Sequence, residues 1–290
     1  MKIGALEAGG TKMVCAIGNE NGEIFEQESF PTESPEITMP KLLNYFKGKG
    51  IEALGIACFG PIDLHKDSKT YGYITTTPKI KWQNFDFVGA FDELDVPVGF
   101  DTDVNGSAIG EYTWGIAKGL NSCIYITIGT GIGVGVIADG KLLHGMLHPE
   151  AGHILLEKHP DDGGYHGFCP FHPNCFEGLC AGPAIEGRWG KKAIELSDRK
   201  EVWEMEAFYI AQALVNYTMC LSPERIILGG GVMHQTQLLP MIRSEFKRLL
   251  NGYLKTKELD DLDSFIVVQS LNDKQGIMGA IRLATMELGL

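Results

Sequence analysis

The stretch Ile3-Gly4-Ala5-Leu6-Glu7-Ala8-Gly9-Gly10-Thr11-Lys12-Met13-Val14-Cys15-Ala16-Ile17 decides the fold. Ile3 to Ala8 is apolar on both faces, which predicts a central strand buried on both sides. Gly9-Gly10 punctuates the run and Met13 to Ile17 resumes it. Asn21-Gly22 is a hairpin turn signal, and Glu23 to Phe30 reads as a third, more polar strand. The same grammar recurs further on. Ile124 to Ile128 is a buried strand, Gly129-Thr130-Gly131 a glycine turn and Ile132 to Ile137 a second strand. Asp139-Gly140 is the hairpin signal, and Lys141 to Leu143 starts a third strand. A duplication of this kind predicts two related domains with a cleft between them.

Around these two blocks, strands alternate with helical periods. A weak helix is expected at Met39 to Phe46 and a strand at Leu54 to Phe59. The stretch 62–95 reads as polar and irregular, with Pro78 and Trp82, and Val96 to Phe100 is a short strand. Residues 201–221 have a 3.6-residue apolar period that Pro223 ends. Arg225 to Leu228 is a strand, Ile242 to Leu250 a helix, Phe265 to Val268 a strand and Ile277 to Met286 a final helix. Alternation of this sort indicates an α/β protein. The expected division is a smaller N-terminal domain, 1–116, and a larger one, 117–274. The larger carries a loop-rich insert at 144–183, and the C-terminal helix, 275–290, packs back on the first domain.

Composition removes several function classes. The chain has 290 residues and a formal net charge of −12. Phosphate backbones and anionic membrane surfaces call for a basic footprint, so neither nucleic acid nor a membrane is an expected partner. No apolar run approaches the ~18 residues of a membrane-spanning helix. The apolar start before Glu7 is too short for a signal-peptide core. Seven cysteines, four scattered singly and three between 169 and 180, suggest reduced thiols in a cytoplasm plus a metal site.

Three strands run into glycine-rich turns: Gly9-Gly10-Thr11-Lys12, Gly129-Thr130-Gly131 and Gly229-Gly230-Gly231. Glycine lets backbone N–H groups approach an anion, and threonine adds a hydroxyl donor. One such turn is ordinary hairpin geometry. Three at strand ends favour a nucleotide. Neither the G-x-x-x-x-G-K-[ST] loop nor the G-x-G-x-x-G fingerprint is present, so the commonest phosphate motifs are excluded.

At this point the sequence resembles a known family. Glu7-Ala8-Gly9-Gly10-Thr11-Lys12 is similar to the first phosphate motif of the ROK family of sugar kinases. Ile126-Thr127-Ile128-Gly129-Thr130-Gly131-Ile132-Gly133 is similar to the second, and Gly229-Gly230-Gly231-Val232 resembles the adenosine motif. The resemblance spans nearly the whole chain. It implies a duplicated actin-like (ribonuclease H-like) α/β fold, with ATP in the cleft between two domains and Mg²⁺ on the phosphates. It also implies a homodimer. Many ROK kinases carry Asp where this chain has Glu7. That carboxylate either holds Mg²⁺ through water or pairs with Lys12. The adenine base is expected near Ala181-Gly182-Pro183-Ala184.

Asp101-Thr102-Asp103-Val104-Asn105 follows a strand and precedes a helix-like run, so its polar residues are natural N-caps. A helix N-terminus also favours an ionised carboxylate. In the family the residue matching Asp103 accepts the proton of the sugar hydroxyl, which makes Asp103 the expected general base. Thr102 stands where the family's glucokinases usually have Asn, with a consequence for the sugar contact. Glu150, His153 and Glu177 match family positions that bind sugar hydroxyls.

Cys169-Pro170-Phe171-His172-Pro173-Asn174-Cys175 gives C-x₂-H-x₂-C, with His153 upstream. Four soft or borderline ligands suit a closed tetrahedral Zn²⁺ site of structural type. Cys180, His166 and His159 are rival ligands. Many family members carry C-x-C-G-x-x-G-C instead, and the form here resembles the fructokinase branch. The expected activity is therefore ATP-dependent phosphorylation of a hexose, fructose to fructose 6-phosphate. The alternatives are a glucose, mannose or N-acetylhexosamine kinase, a sugar-responsive regulator of the same family, and an actin-like ATPase. The family's regulators carry an N-terminal helix-turn-helix domain, whereas here the first strand is expected from residue 2, and the charge of −12 also opposes DNA binding.

Overall fold

A computed structural model describes all residues, Met1–Leu290. The elements run β1 (Ile3–Ala8), β2 (Lys12–Gly18), β3 (Ile24–Pro31), α1 (Pro35–Phe46), β4 (Ala53–Cys58), β5 (Tyr73–Ile74), β6 (Phe85–Asp86), β7 (Val98–Thr102) and α2 (Asp103–Thr113). They continue with β8 (Cys123–Ile128), β9 (Ile132–Ala138), β10 (Lys141–Leu142), α3 (Phe176–Cys180), α4 (Gly182–Trp189), α5 (Lys200–Leu221) and β11 (Ile226–Gly229). The last are α6 (Leu238–Leu250), α7 (Lys257–Asp260), α8 (Leu262–Phe265), β12 (Ile266–Val268) and α9 (Gln275–Glu287).

The chain forms two compact units. The first comprises Met1–Gly119, Leu142–His148 and Ser270–Leu290; the second comprises Leu120–Lys141 and Pro149–Gln269. Residues 142–148, which include the beginning of the 144–183 insert, thus belong to the first unit, as do residues 270–274. These additions bring the two units to nearly equal length, where the sequence suggested a smaller first domain.

Each unit contains a five-stranded sheet, ordered β3-β2-β1-β4-β7 in the first and β10-β9-β8-β11-β12 in the second. β1 pairs antiparallel with β2 and parallel with β4; β8 pairs antiparallel with β9 and parallel with β11. The strand grammar read twice in the sequence is therefore the same sheet built twice. β1 and β8 sit at the middle of their sheets. Ile3, Ala5, Leu6 and Ala8, and likewise Ile124, Ile126 and Ile128, are fully buried. β3 is an edge strand and mostly exposed, which accounts for its polar sequence.

In unit 1, α9 packs on β1, β4 and β7 and crosses α2. Glycines permit the close approach. A Cβ on Gly55 would overlap the Ala280 carbonyl, one on Gly99 the Leu283 carbonyl, and one on Gly279 the Gly106 carbonyl. The region 62–95 departs from its polar reading. Ile62, Ile74, Trp82, Phe87 and Phe91 are buried, and Trp82 meets Phe59, Phe85 and Phe87 edge-on. These side chains fall at no helical or strand period, so the pattern conceals them. α1 and α6 both begin four residues before their apolar periods suggest. Pro35 occupies the first turn of α1, and Pro240 the first turn of α6, where a missing N–H costs nothing. Pro40 lies inside α1.

Candidate active site

In unit 1, β1 ends at Ala8 and β2 begins at Lys12, so Gly9, Gly10 and Thr11 make the whole connection. Gly9 N donates to Lys12 O at 3.0 Å. Thr32, just beyond β3, holds the turn: its Oγ1 donates to Gly9 O at 2.7 Å and its N to Thr11 O at 3.0 Å. Thr11 and Lys12 are exposed. Lys79, which stands in no motif, lies against Gly10. A Cβ there would sit 3.0 Å from Lys79 Cε and 3.8 Å from its Nζ.

Glu7 is the second-last residue of β1, and its carboxyl is pushed up to about 7. Burial contributes most, the Asp103 charge adds to it, Lys12 opposes it, and Asp273 raises it further. Lys12 thus acts on Glu7 without outweighing its surroundings. Gly276, in the first turn of α9, packs on this carboxylate; a Cβ would lie 2.5 Å from Glu7 Cδ.

Asp103 is the first residue of α2, and Thr102 is its N-cap. Thr102 Oγ1 accepts from Asn105 N at 3.1 Å, and Asp103 Oδ1 accepts from Val104 N at 2.9 Å. Burial pushes the Asp103 carboxyl up to about 6, against the lowering effect of backbone N–H donors. The electrostatic influence of Asp103 on Glu7 brings the base candidate and the first glycine turn into one neighbourhood.

Asp101 is the buried anchor of this segment, and sequence reasoning left it as one of several capping residues. Its Oδ1 accepts from Thr102 N and Asn105 Nδ2, both at 2.7 Å. His144 Nε2 donates to Asp101 Oδ2 at 2.8 Å, and this bond raises the His144 pKa. The contact spans 43 residues of chain, which no local motif reveals.

In unit 2, the second glycine turn joins β8 to β9. Gly129 N donates to Gly131 O at 2.9 Å, and Ile132 N to Glu177 Oε2 at 2.9 Å. Thr130 is exposed. Gly182 N, at the start of α4, donates to Gly129 O at 2.7 Å, which sets Pro183 in the first turn of a helix docked on that glycine turn. β11 runs into Gly229-Gly230-Gly231. Gly230 has φ +86°, and a Cβ on it would overlap the Ile128 carbonyl, so only glycine fits.

The residues His153, Cys169, His172 and Cys175 bring one donor atom each to within 4.8 Å of one another. Cys169 Sγ lies 3.8 Å from both His153 Nδ1 and His172 Nδ1, and Cys175 Sγ lies 3.6 Å from His153 Nδ1. A tetrahedral Zn²⁺ with ordinary bond lengths separates its S and N ligands by roughly 3.6 Å, so this donor set fits the ion. Burial pushes the Cys175 thiol up to about 11, and a cation is what would hold it as thiolate at neutral pH. The rivals lie outside this group. Cys180 is fully buried, with its thiol raised by burial, and His159 stacks edge-on against Phe208. His153 faces two ways: Nδ1 is among the sulfurs, while Nε2 is 4.0 Å from Glu177 Oε1. Glu177 therefore connects the cluster to the second glycine turn. Glu150 precedes the short 3₁₀ turn Ala151–His153, and its carbonyl accepts from His153 N at 3.0 Å.

Comparison with known proteins gives this arrangement its class. Residues 3–287 match the ROK family. The chain is 52% identical over 288 residues to a putative fructokinase of Bacillus subtilis (strain 168), covering 99% of this chain and 96% of that one. It is 46% identical over 289 residues to the fructokinase of Pediococcus pentosaceus, covering 99% of each. The fold is similar to that of a ROK hexokinase from Thermus thermophilus. That structure has a TM-score of 0.80 at 24% identity and matches 100% of this chain and 99% of the other. The chain belongs to the ROK family, and its fold is the actin-like fold of two α/β units that the family's kinases share.

Proposed function

We propose that the protein is an ATP-dependent hexose kinase that converts fructose to fructose 6-phosphate. The observation that carries this reading is the Asp103 carboxylate. It stands at the first position of a helix, raised to about 6 by burial yet ionised at neutral pH. That is the state required of a group that accepts a hydroxyl proton. In the proposed step the fructose 6-hydroxyl oxygen attacks the γ-phosphorus of ATP. The bond from that phosphorus to the β-bridging oxygen breaks, ADP leaves, and Asp103 takes the hydroxyl proton. Such transfers depend on positioning and on charge stabilisation.

Thr102, Glu150, His153 and Glu177 are assigned to the sugar hydroxyls, with His153 presenting Nε2. Gly9, Gly10, Thr11, Lys12, Thr130 and Gly131 are assigned to phosphates, and Pro183, Gly229, Gly230 and Gly231 to the nucleoside. Glu7 is the group to hold Mg²⁺, through water. Its buried carboxylate beside Asp103 gains from a nearby cation. When bound, Mg²⁺ would neutralise charge on the phosphate chain. Zn²⁺ held by His153, Cys169, His172 and Cys175 would order the 149–180 loop, with Glu177 behind His153 as the outer carboxylate. Seven cysteines without disulfides fit a reducing cytoplasm, and the family resemblance suggests a homodimer.

An ADP-release assay over fructose, mannose, glucose and the N-acetylhexosamines tests this reading. The highest kcat/KM is expected with fructose. No turnover on any hexose would overturn the kinase reading, and a preference for glucose would overturn the sugar assignment.

A further inference from the structure

We propose that Lys79 is a further catalytic residue, whose ammonium faces the phosphoryl group in flight. The inference rests on the assignment of Asp103 as base, and all its geometry lies in unit 1. The phosphorus that is transferred must come within about 3–3.5 Å of the hydroxyl oxygen that Asp103 deprotonates. A phosphate turn beside Asp103 is therefore placed to receive the terminal phosphoryl. Gly9-Gly10-Thr11 is such a turn: it closely follows Glu7, whose carboxylate lies against Gly276, and the Gly276 carbonyl lies beside Gly106 of the helix that Asp103 opens.

Lys79 lies along the backbone of that turn. Its Cε and Nζ are 3.0 and 3.8 Å from where a Gly10 Cβ would be, so Gly10 leaves room for the lysine stem. Thr32 already occupies the Gly9 and Thr11 carbonyls, so the turn is held without help from Lys79. The ammonium enters no ion pair. Other lysines of the unit do: Lys41, Lys47, Lys49 and Lys66 meet Glu33, Glu93, Glu26 and Glu287.

The segment bearing Lys79 is braced. Gln83 Nε2 donates to Thr77 O at 2.8 Å, and Trp82 N to Lys79 O at 2.8 Å. The Trp82 ring is buried, and its Nε1 donates to Glu33 O at 2.7 Å. An unpaired cation on a braced loop, over a turn of small residues, is a preorganised charge of the kind that stabilises developing negative charge. In a chain of net charge −12, an unpartnered ammonium at this place has a phosphate as its natural counter-ion.

The test uses the full-length enzyme and compares Lys79→Met, Lys79→Gln and Lys79→Arg with wild type and with Asp103→Asn. Lys79→Met is expected to lower kcat on fructose and ATP by about 10²-fold. The fructose KM and the ADP dissociation constant should each stay within about threefold of wild type. Lys79→Arg should recover at least about 10-fold of the loss, at an unchanged melting temperature. Lys79→Gln provides the neutral variant if the Met protein does not fold. A neutral variant with wild-type kcat overturns the inference. So does a rise in the ADP dissociation constant as large as the fall in kcat, because the charge would then serve the whole nucleotide. If Asp103→Asn retains turnover, the base assignment itself falls. If it loses turnover while Lys79→Met does not, only the role of Lys79 falls.

Discussion

The acid limb of the pH–rate profile is the measurement most directly tied to the structure. Burial raises Asp103 to about 6, and the residue works as a base only when ionised. With a pKa of 6, about 90% of the enzyme is ionised at pH 7 and about 10% at pH 5, so kcat/KM for fructose should fall roughly tenfold across that interval. An unperturbed aspartate, near 3.9, would leave the rate nearly flat there. Glu7 adds a second signature. Raised to about 7 in the absence of a cation, it would add a second proton to the limb if its charge were also required. A limb of unit slope near pH 6 assigns the dependence to Asp103 alone, and a slope of two brings in Glu7. The assay is ADP release at saturating Mg-ATP and constant ionic strength between pH 5 and 8. The same shift has a stability consequence. A carboxylate with a raised pKa costs folding free energy once pH exceeds its unfolded value, and the cost persists above the folded value. At about 1.4 kcal/mol per unit, a rise from near 4 to about 6 is of the order of 3 kcal/mol, so Asp103→Asn should be inactive yet more stable at pH 7. A flat rate between pH 5 and 7, or an Asn variant less stable than wild type, would refute the reasoning.

Cys169→Ser, or dialysis against a strong chelator, should reduce the metal content from about one zinc per chain and lower the melting temperature, with a loss of several kcal/mol in stability; elemental analysis beside a thermal melt checks both. Gly279→Ala should destabilise the protein by about 3 kcal/mol, because the new methyl collides with the Gly106 carbonyl at the crossing of α2 and α9. A lowered urea midpoint with an unchanged m-value would register it.

The buried strands were legible because a strand covered on both faces leaves a continuous apolar run, and the glycine turns stood out against β1 and β8. The gathering of His153 with Cys169, His172 and Cys175 was also legible, since Cys-x-x-His brings two donors to one tight turn. Other features were not. Trp82, Phe87 and Phe91 reach the core from irregular backbone and obey no period. The approach of Lys79 to Gly10 and of His144 to Asp101 depends on how distant segments are folded together, and such contacts leave no trace in local spacing. The first turns of α1 and α6, which hold Pro35 and Pro240, lie ahead of the apolar periods and so were not legible as helix.

The placement of α9 bears on how this chain comes off the ribosome. The helix covering β1, β4 and β7 is translated long after those strands, with the whole of unit 2 between them. A nascent chain stalled after residue 274 would carry a bare sheet face with a row of glycines open to water, an invitation to chaperones and to aggregation. Unit 1 is thus finished only after the whole of unit 2 has been synthesised, and a truncation that removes α9 would strike its centre.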